Sequence, residues 1–154
     1  METRVLQAVK LFESGYNCAQ SVFTTYADLV GMDHEKALMI SCPLGAGVGR
    51  MREVCGAVTA MSMLLGLKEG NADPSDQEAK AYVYAKTRQI ADCFKEESGS
   101  IICKELLGID GREDSAAPSV RTKDFYEKRP CGRLIALAAQ IIEDIIFTEE
   151  FKKQ

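Results

Sequence analysis

The stretch from Met1 to Gly15, METRVLQAVKLFESG, decides how the whole chain is read. Val5, Ala8, Leu11 and Phe12 recur at steps of three and four, which puts them on one face of a helix from about Glu2 to Ser14, with Gly15 as its left-handed stop. Charges are spread through the same stretch, so it lacks the continuous apolar run of a signal peptide or a membrane span. The chain is therefore expected to be cytoplasmic, with no membrane insertion. The same helical spacing recurs downstream, and the period-two alternation of a half-buried strand appears nowhere. The expected fold class is all-α.

Outward from that helix, a second begins at Asn17 and carries Val22, Phe23, Tyr26 and Leu29 to about Val30. Asp33 caps a short helix that ends near Cys42, because Pro43 disfavours helical geometry in the residue before it. A glycine loop containing Gly45, Gly47 and Gly49 then leads into a helix from about Arg50 to Leu65. Asp73 caps the longest helix, with Pro74 at its first position and Tyr82, Val83, Ile90, Cys93 and Phe94 along one stripe to about Glu97. Ser100 caps a short helix from Ile101 to Leu107. The segment 108–119, GIDGREDSAAPS, reads as an exposed loop, and the last helix runs from Pro130 to about Phe147. The expectation is a compact bundle of about six to seven helices in one domain over residues 1–154, several of whose helix N-termini carry cysteines.

With 46% hydrophobic and 27% charged residues the composition is globular. The net charge of -4, from 19 basic and 23 acidic residues, gives no reason to expect a nucleic acid partner. The one histidine, His34, sits in a charged DHEK helix start and pairs with no evident nucleophile, which argues against hydrolase chemistry. GAGVGR lacks both the preceding strand and the glycine order of a nucleotide-binding loop. Met51, Met61 and Met63 read as core filler rather than soft-metal ligands.

Six cysteines remain to be explained, and in a reducing compartment they favour redox or metal chemistry over structural disulfides. No CxxC pair is present. Four cysteines fall in or near a first turn: Cys18 follows the cap Asn17, Cys103 lies three residues after Ser100, Cys131 follows Pro130, and Cys55 follows the glycine loop. Unpaired amides and the helix dipole favour a thiolate there. Such sites titrate at about 3.5 to 7.5 rather than near 8.5. Arg50 and Arg52 near Cys55, and Arg129 and Arg133 around Cys131, push in the same direction. Cys42 lies at a helix end and Cys93 on an apolar stripe, so both read as packing residues.

Taken together, GYNCAQSVF, GRMREVCGAVTAM, GSIICKELLG and RPCGRLIALAAQII resemble the C_GCAxxG_C_C family of redox-active bacterial proteins. The resemblance spans most of the chain and implies four family cysteines at Cys18, Cys55, Cys103 and Cys131, with Cys42 and Cys93 as extras. Ala60 stands where the family motif has its second glycine.

Thiol–disulfide or electron exchange at these four cysteines is the leading expectation, in the manner of a thiol–disulfide oxidoreductase. It needs no cofactor, only a redox partner protein or small thiol. The alternative is a metal site in which Cys18, Cys55, Cys103 and Cys131 bind zinc or an iron–sulfur cluster. A non-catalytic helical interaction module is the third reading. Small-residue helix faces and the apolar last helix add the expectation of a homodimer.

Overall fold

The structure, a computed structural model, describes residues 1–110 and 113–152 of the 154. Its right-handed helices are α1 (Val5–Glu13), α2 (Cys18–Tyr26), α3 (His34–Ser41), α4 (Gly56–Glu69), α5 (Gln77–Ser98), α6 (Cys103–Leu107), α7 (Lys123–Lys128) and α8 (Cys131–Ile141). Among the described residues extended pairing is limited to one antiparallel bridge, Val54 to Ile102. The all-α expectation holds. No helix among the described residues is long and apolar enough to cross a membrane.

The fold is built around α2. Its start is fixed by a reciprocal cap in which the Asn17 side chain accepts from Gln20 N and the Gln20 side chain accepts from Asn17 N. Ser21 through Tyr26 are all buried, and α1, α3, α4 and α8 pack around them. Ser21 and Thr25 each bond back to the carbonyl four residues earlier, at 2.7 Å, whereas the buried Thr24 hydroxyl finds no partner among the described residues. Phe23, Tyr26, Met61, Leu64, Ile135 and Ile142 fill the centre and are at most 1% exposed.

One polar knot crosses this core. Tyr26 Oη donates to Glu143 Oε1 at 2.7 Å, Arg4 N donates to the same oxygen at 2.7 Å, and the Arg4 guanidinium bonds Asp28 at 2.6 Å and the Thr25 carbonyl at 2.9 Å. Burial and the hydrogen bond to Glu143 push the Tyr26 phenol well above its ordinary range. Glu143 sits in the π-helical turn Ile142–Ile146 that continues α8, so the last helix reaches its expected end with a change of winding.

Several boundaries differ from expectation for local reasons. The helix expected from Arg50 begins only at Gly56 and passes through Gly66 to Glu69, because Arg50 and Arg52 both have positive φ, of 66° and 60°. Asp73 binds Ser75 N at 2.9 Å in a turn, and it is Asp76 that caps α5 by accepting from Ala79 N at 3.0 Å. On the predicted stripe of α5 only Ile90 and Phe94 are buried, while Tyr82 is 55% exposed and donates to Glu69 at 2.9 Å. Helix α7, capped by Thr122, lies where no helix was expected. Of the loop expected at 108–119, residues 111 and 112 lie outside the described residues; the remainder is mostly exposed and holds no helix.

Candidate functional site

Each of the four singled-out cysteines stands at the start of a different helix. Cys18, Cys103 and Cys131 are the first residues of α2, α6 and α8, and Cys55 is the N-cap of α4. All four line one small pocket of about 40 Å³, together with Ala46, Arg52, Gly56, Leu106 and Leu134. That volume admits only a few water molecules, so it is a site for sulfur atoms rather than for a bulky ligand. Cys42 is exposed and Cys93 half-buried, and neither lines the pocket.

A left-handed turn gathers the sulfurs. Ala46, Gly47, Val48, Gly49 and Arg50 all have φ between 55° and 68°, a run that costs a non-glycine residue roughly 1–2 kcal/mol each. The turn folds the chain back so that Ala46 O and Gly47 O accept from Arg52 N and Glu53 N at 3.3 and 2.9 Å. The segment it delivers pairs with the approach to α6: Cys55 N donates to Ile101 O at 2.8 Å and Cys103 N donates to Glu53 O at 2.6 Å. Cys55 and Cys103 are thereby fixed on neighbouring strands of backbone.

Two glycines permit the close approach. A Cβ on Gly47 would lie 2.7 Å from Cys103 Cβ and from Arg52 Cα, and one on Gly56 would lie 2.5 Å from Cys18 Sγ. Gly56 thus seats the Cys18 sulfur directly against the first turn of α4. The sequence pointed to small residues for close approach here; that the visitor is a sulfur was set by packing.

Burial dominates the electrostatics. It pushes the Cys55 thiol far above the ordinary range, with the Cys18 charge adding to the rise and a hydrogen bond from Ala57 N opposing it. Burial likewise raises Cys131, pushed up to about 11, with Cys18 and Cys103 adding to the rise. Cys103 is raised by burial, then pulled back by the Arg52 hydrogen bond and charge. The expectation of standing thiolates is therefore corrected for these three: the amides are present, but desolvation outweighs them, and the resting groups at neutral pH are thiols. A charge on Cys18 raises each of the other three.

Around the sulfurs, Arg52 is the notable neighbour. It is 4% exposed, places Nη1 3.7 Å from Cys103 Sγ, and pairs through Nη2 with Glu113 at 3.2 Å. Arg50 holds the other Glu113 oxygen at 2.7 Å. Arg52 was expected beside Cys55, yet the left-handed turn points it at Cys103. Glu113, 61 residues away in a loop, gave no signal in the sequence. Arg133 is exposed on α8, whereas the Arg129 charge reaches both Cys103 and Cys131. His34 is exposed at the start of α3.

No three His, Cys, Asp or Glu side chains among the described residues are arranged to hold a metal ion. The alternative in which Cys18, Cys55, Cys103 and Cys131 form a zinc or iron–sulfur ligand set thus finds no assembled donor group. A family model described as "Putative redox-active protein (C_GCAxxG_C_C)" matches residues 16–145, a span that includes all four pocket cysteines. No curated protein and no solved structure matches the chain.

Proposed function

The chain belongs to the C_GCAxxG_C_C family, and from that premise we propose that it is a thiol redox protein whose pocket cysteines pass two electrons to a disulfide-bearing partner. Two thiols of the set close a disulfide, their two protons and two electrons going to the partner's sulfurs, which leave as thiols. The observation that supports this is the convergence of Cys18, Cys55, Cys103 and Cys131, from four helices, on one pocket.

Burial of the thiols bears on the direction of electron flow. A strong oxidant keeps its reduced form as a stabilised thiolate, whereas burial here destabilises the thiolates of Cys55, Cys103 and Cys131. A neutral disulfide suits an apolar pocket. Without that thiolate stabilisation the pair is expected to be a weaker oxidant than DsbA, whose potential is about -120 mV.

Counting thiols in denaturant tests the proposal. In a Cys42→Ser background, exposure to oxidised glutathione should remove two free thiols per chain, and dithiothreitol should restore them. A thiol count that oxidant leaves unchanged, or one restored in full by Cys93→Ser alone, would end it.

A further inference from the structure

We propose that Arg52 is the positioning residue that makes Cys103 the attacking sulfur of the set, and that Glu113 governs how fully it does so. The inference rests on the thiol redox proposal and deepens it.

Among the four sulfurs only Cys103 has a hydrogen bond to a cationic side chain among the described residues, from Arg52 Nη1 at 3.7 Å. Three features fix the Arg52 backbone beside Cys103. It is turned by the positive φ of 60°, its carbonyl accepts from Lys104 N at 3.2 Å, and Gly47 leaves no room between the Arg52 backbone and Cys103 Cβ. The approach of the Arg52 backbone to Cys103 is therefore fixed on both sides. A buried guanidinium stabilises a thiolate both as a hydrogen-bond donor and as a charge in a poorly screened site. The directions of ionisation agree: Arg52 pulls Cys103 down against burial, whereas for Cys131 it is the weakest influence and for Cys55 it is not among them.

Glu113 competes for the same cation. Its Oε1 lies 3.2 Å from Arg52 Nη2 and 3.3 Å from Nε, and Arg50 braces its other oxygen. A carboxylate sharing the guanidinium reduces the field that reaches the sulfur. In the reaction, Cys103 loses its proton to solvent and its thiolate attacks one sulfur of the partner disulfide, so a Cys103–partner bond forms as the partner bond breaks. The displaced partner thiolate takes up a proton. A second pocket thiol then attacks Cys103 Sγ, closing the internal disulfide and releasing the other partner sulfur as a thiol.

The test is site-resolved alkylation by iodoacetamide against pH on the reduced full chain, read by peptide mass spectrometry. Arg52→Met should slow Cys103 alkylation at pH 7 about tenfold, the equivalent of one pKa unit, while Cys131 changes less. Arg52→Lys should restore part of the rate. Glu113→Gln should speed Cys103 about two- to threefold, since it frees the guanidinium. A folded Arg52→Met chain whose Cys103 profile is unchanged, or shifts no more than that of Cys131, overturns the inference. If Arg52→Met does not fold, Glu113→Gln decides, and an unchanged Cys103 rate there overturns it equally. Because alkylation needs no disulfide partner, failure here is separable from failure of the thiol count.

Discussion

Cys18 and Gly56 show how narrowly the site is fitted at the scale of single residues. The Cβ of a Gly56→Ala chain would meet Cys18 Sγ at 2.5 Å and the backbone atoms Ala19 N and Leu44 O at 3.0 Å. Sulfur can rotate away, but the backbone cannot. Gly56→Ala is accordingly expected to cost about 1–3 kcal/mol in denaturant unfolding and to change the alkylation rate of Cys18 more than that of Cys42. A second expectation concerns pH. Cys131 binds its proton more tightly folded than unfolded, so between the two pKa values the native state carries more protons and stability falls as pH rises. The stabilisation is complete below about pH 9 and is lost towards about pH 11, amounting to about 2–3 kcal/mol from this residue. Urea midpoints taken across that range check it, and Cys131→Ser should flatten the slope. The helix-start positions of Cys18, Cys103 and Cys131 were legible in the sequence, because caps and breakers are local, while that of Cys55 was not, because the left-handed turn delays its helix to Gly56. Nor was their ionisation, because burial is a property of what other segments lay over them.

At the scale of elements, the left-handed turn from Ala46 to Arg50 is where sequence reasoning erred most instructively. Alternating glycines announced an unusual backbone, but Ala46, Val48 and Arg50 share the positive φ, held there by the turn's own backbone hydrogen bonds and by the contacts of the following segment with α6. Strain of this kind gathers at functional sites. Ala46→Gly should relieve about 1 kcal/mol of it and raise the melting temperature by roughly 2–4 °C, at the cost of looser positioning of Arg52. The π-helical turn makes a contrasting case, since it carries a buried carboxylate rather than strain. Glu143→Ala leaves Arg4 N without its acceptor and Tyr26 Oη with only the 3.4 Å contact to Ala139 O, and a loss of about 2–3 kcal/mol is expected by thermal or urea unfolding. Glu143→Gln, which keeps an acceptor, should recover much of it. Helix α7 escaped notice because its six residues bury no stripe; its Thr122 cap and its acidic first turn were the available signal.

Across the whole molecule, the pocket changes how reactivity should be interpreted. First-turn thiolates are alkylated rapidly at neutral pH, but buried thiols with raised pKa values react slowly even where they are the working groups. Disulfide exchange with a partner, followed by thiol count, is the discriminating measurement against an inert interaction module. Helical spacing, caps and breakers are carried within about a turn of each residue, so the sequence by itself determined the all-α class and most helix identities. Tertiary structure alone decided that Cys18, Cys55, Cys103 and Cys131 line one pocket, that Arg52 faces Cys103, and that Glu113 answers it from 61 residues away. Those relations depend on long-range packing around α2 and on desolvation, and neither quantity is defined until the chain has closed on itself.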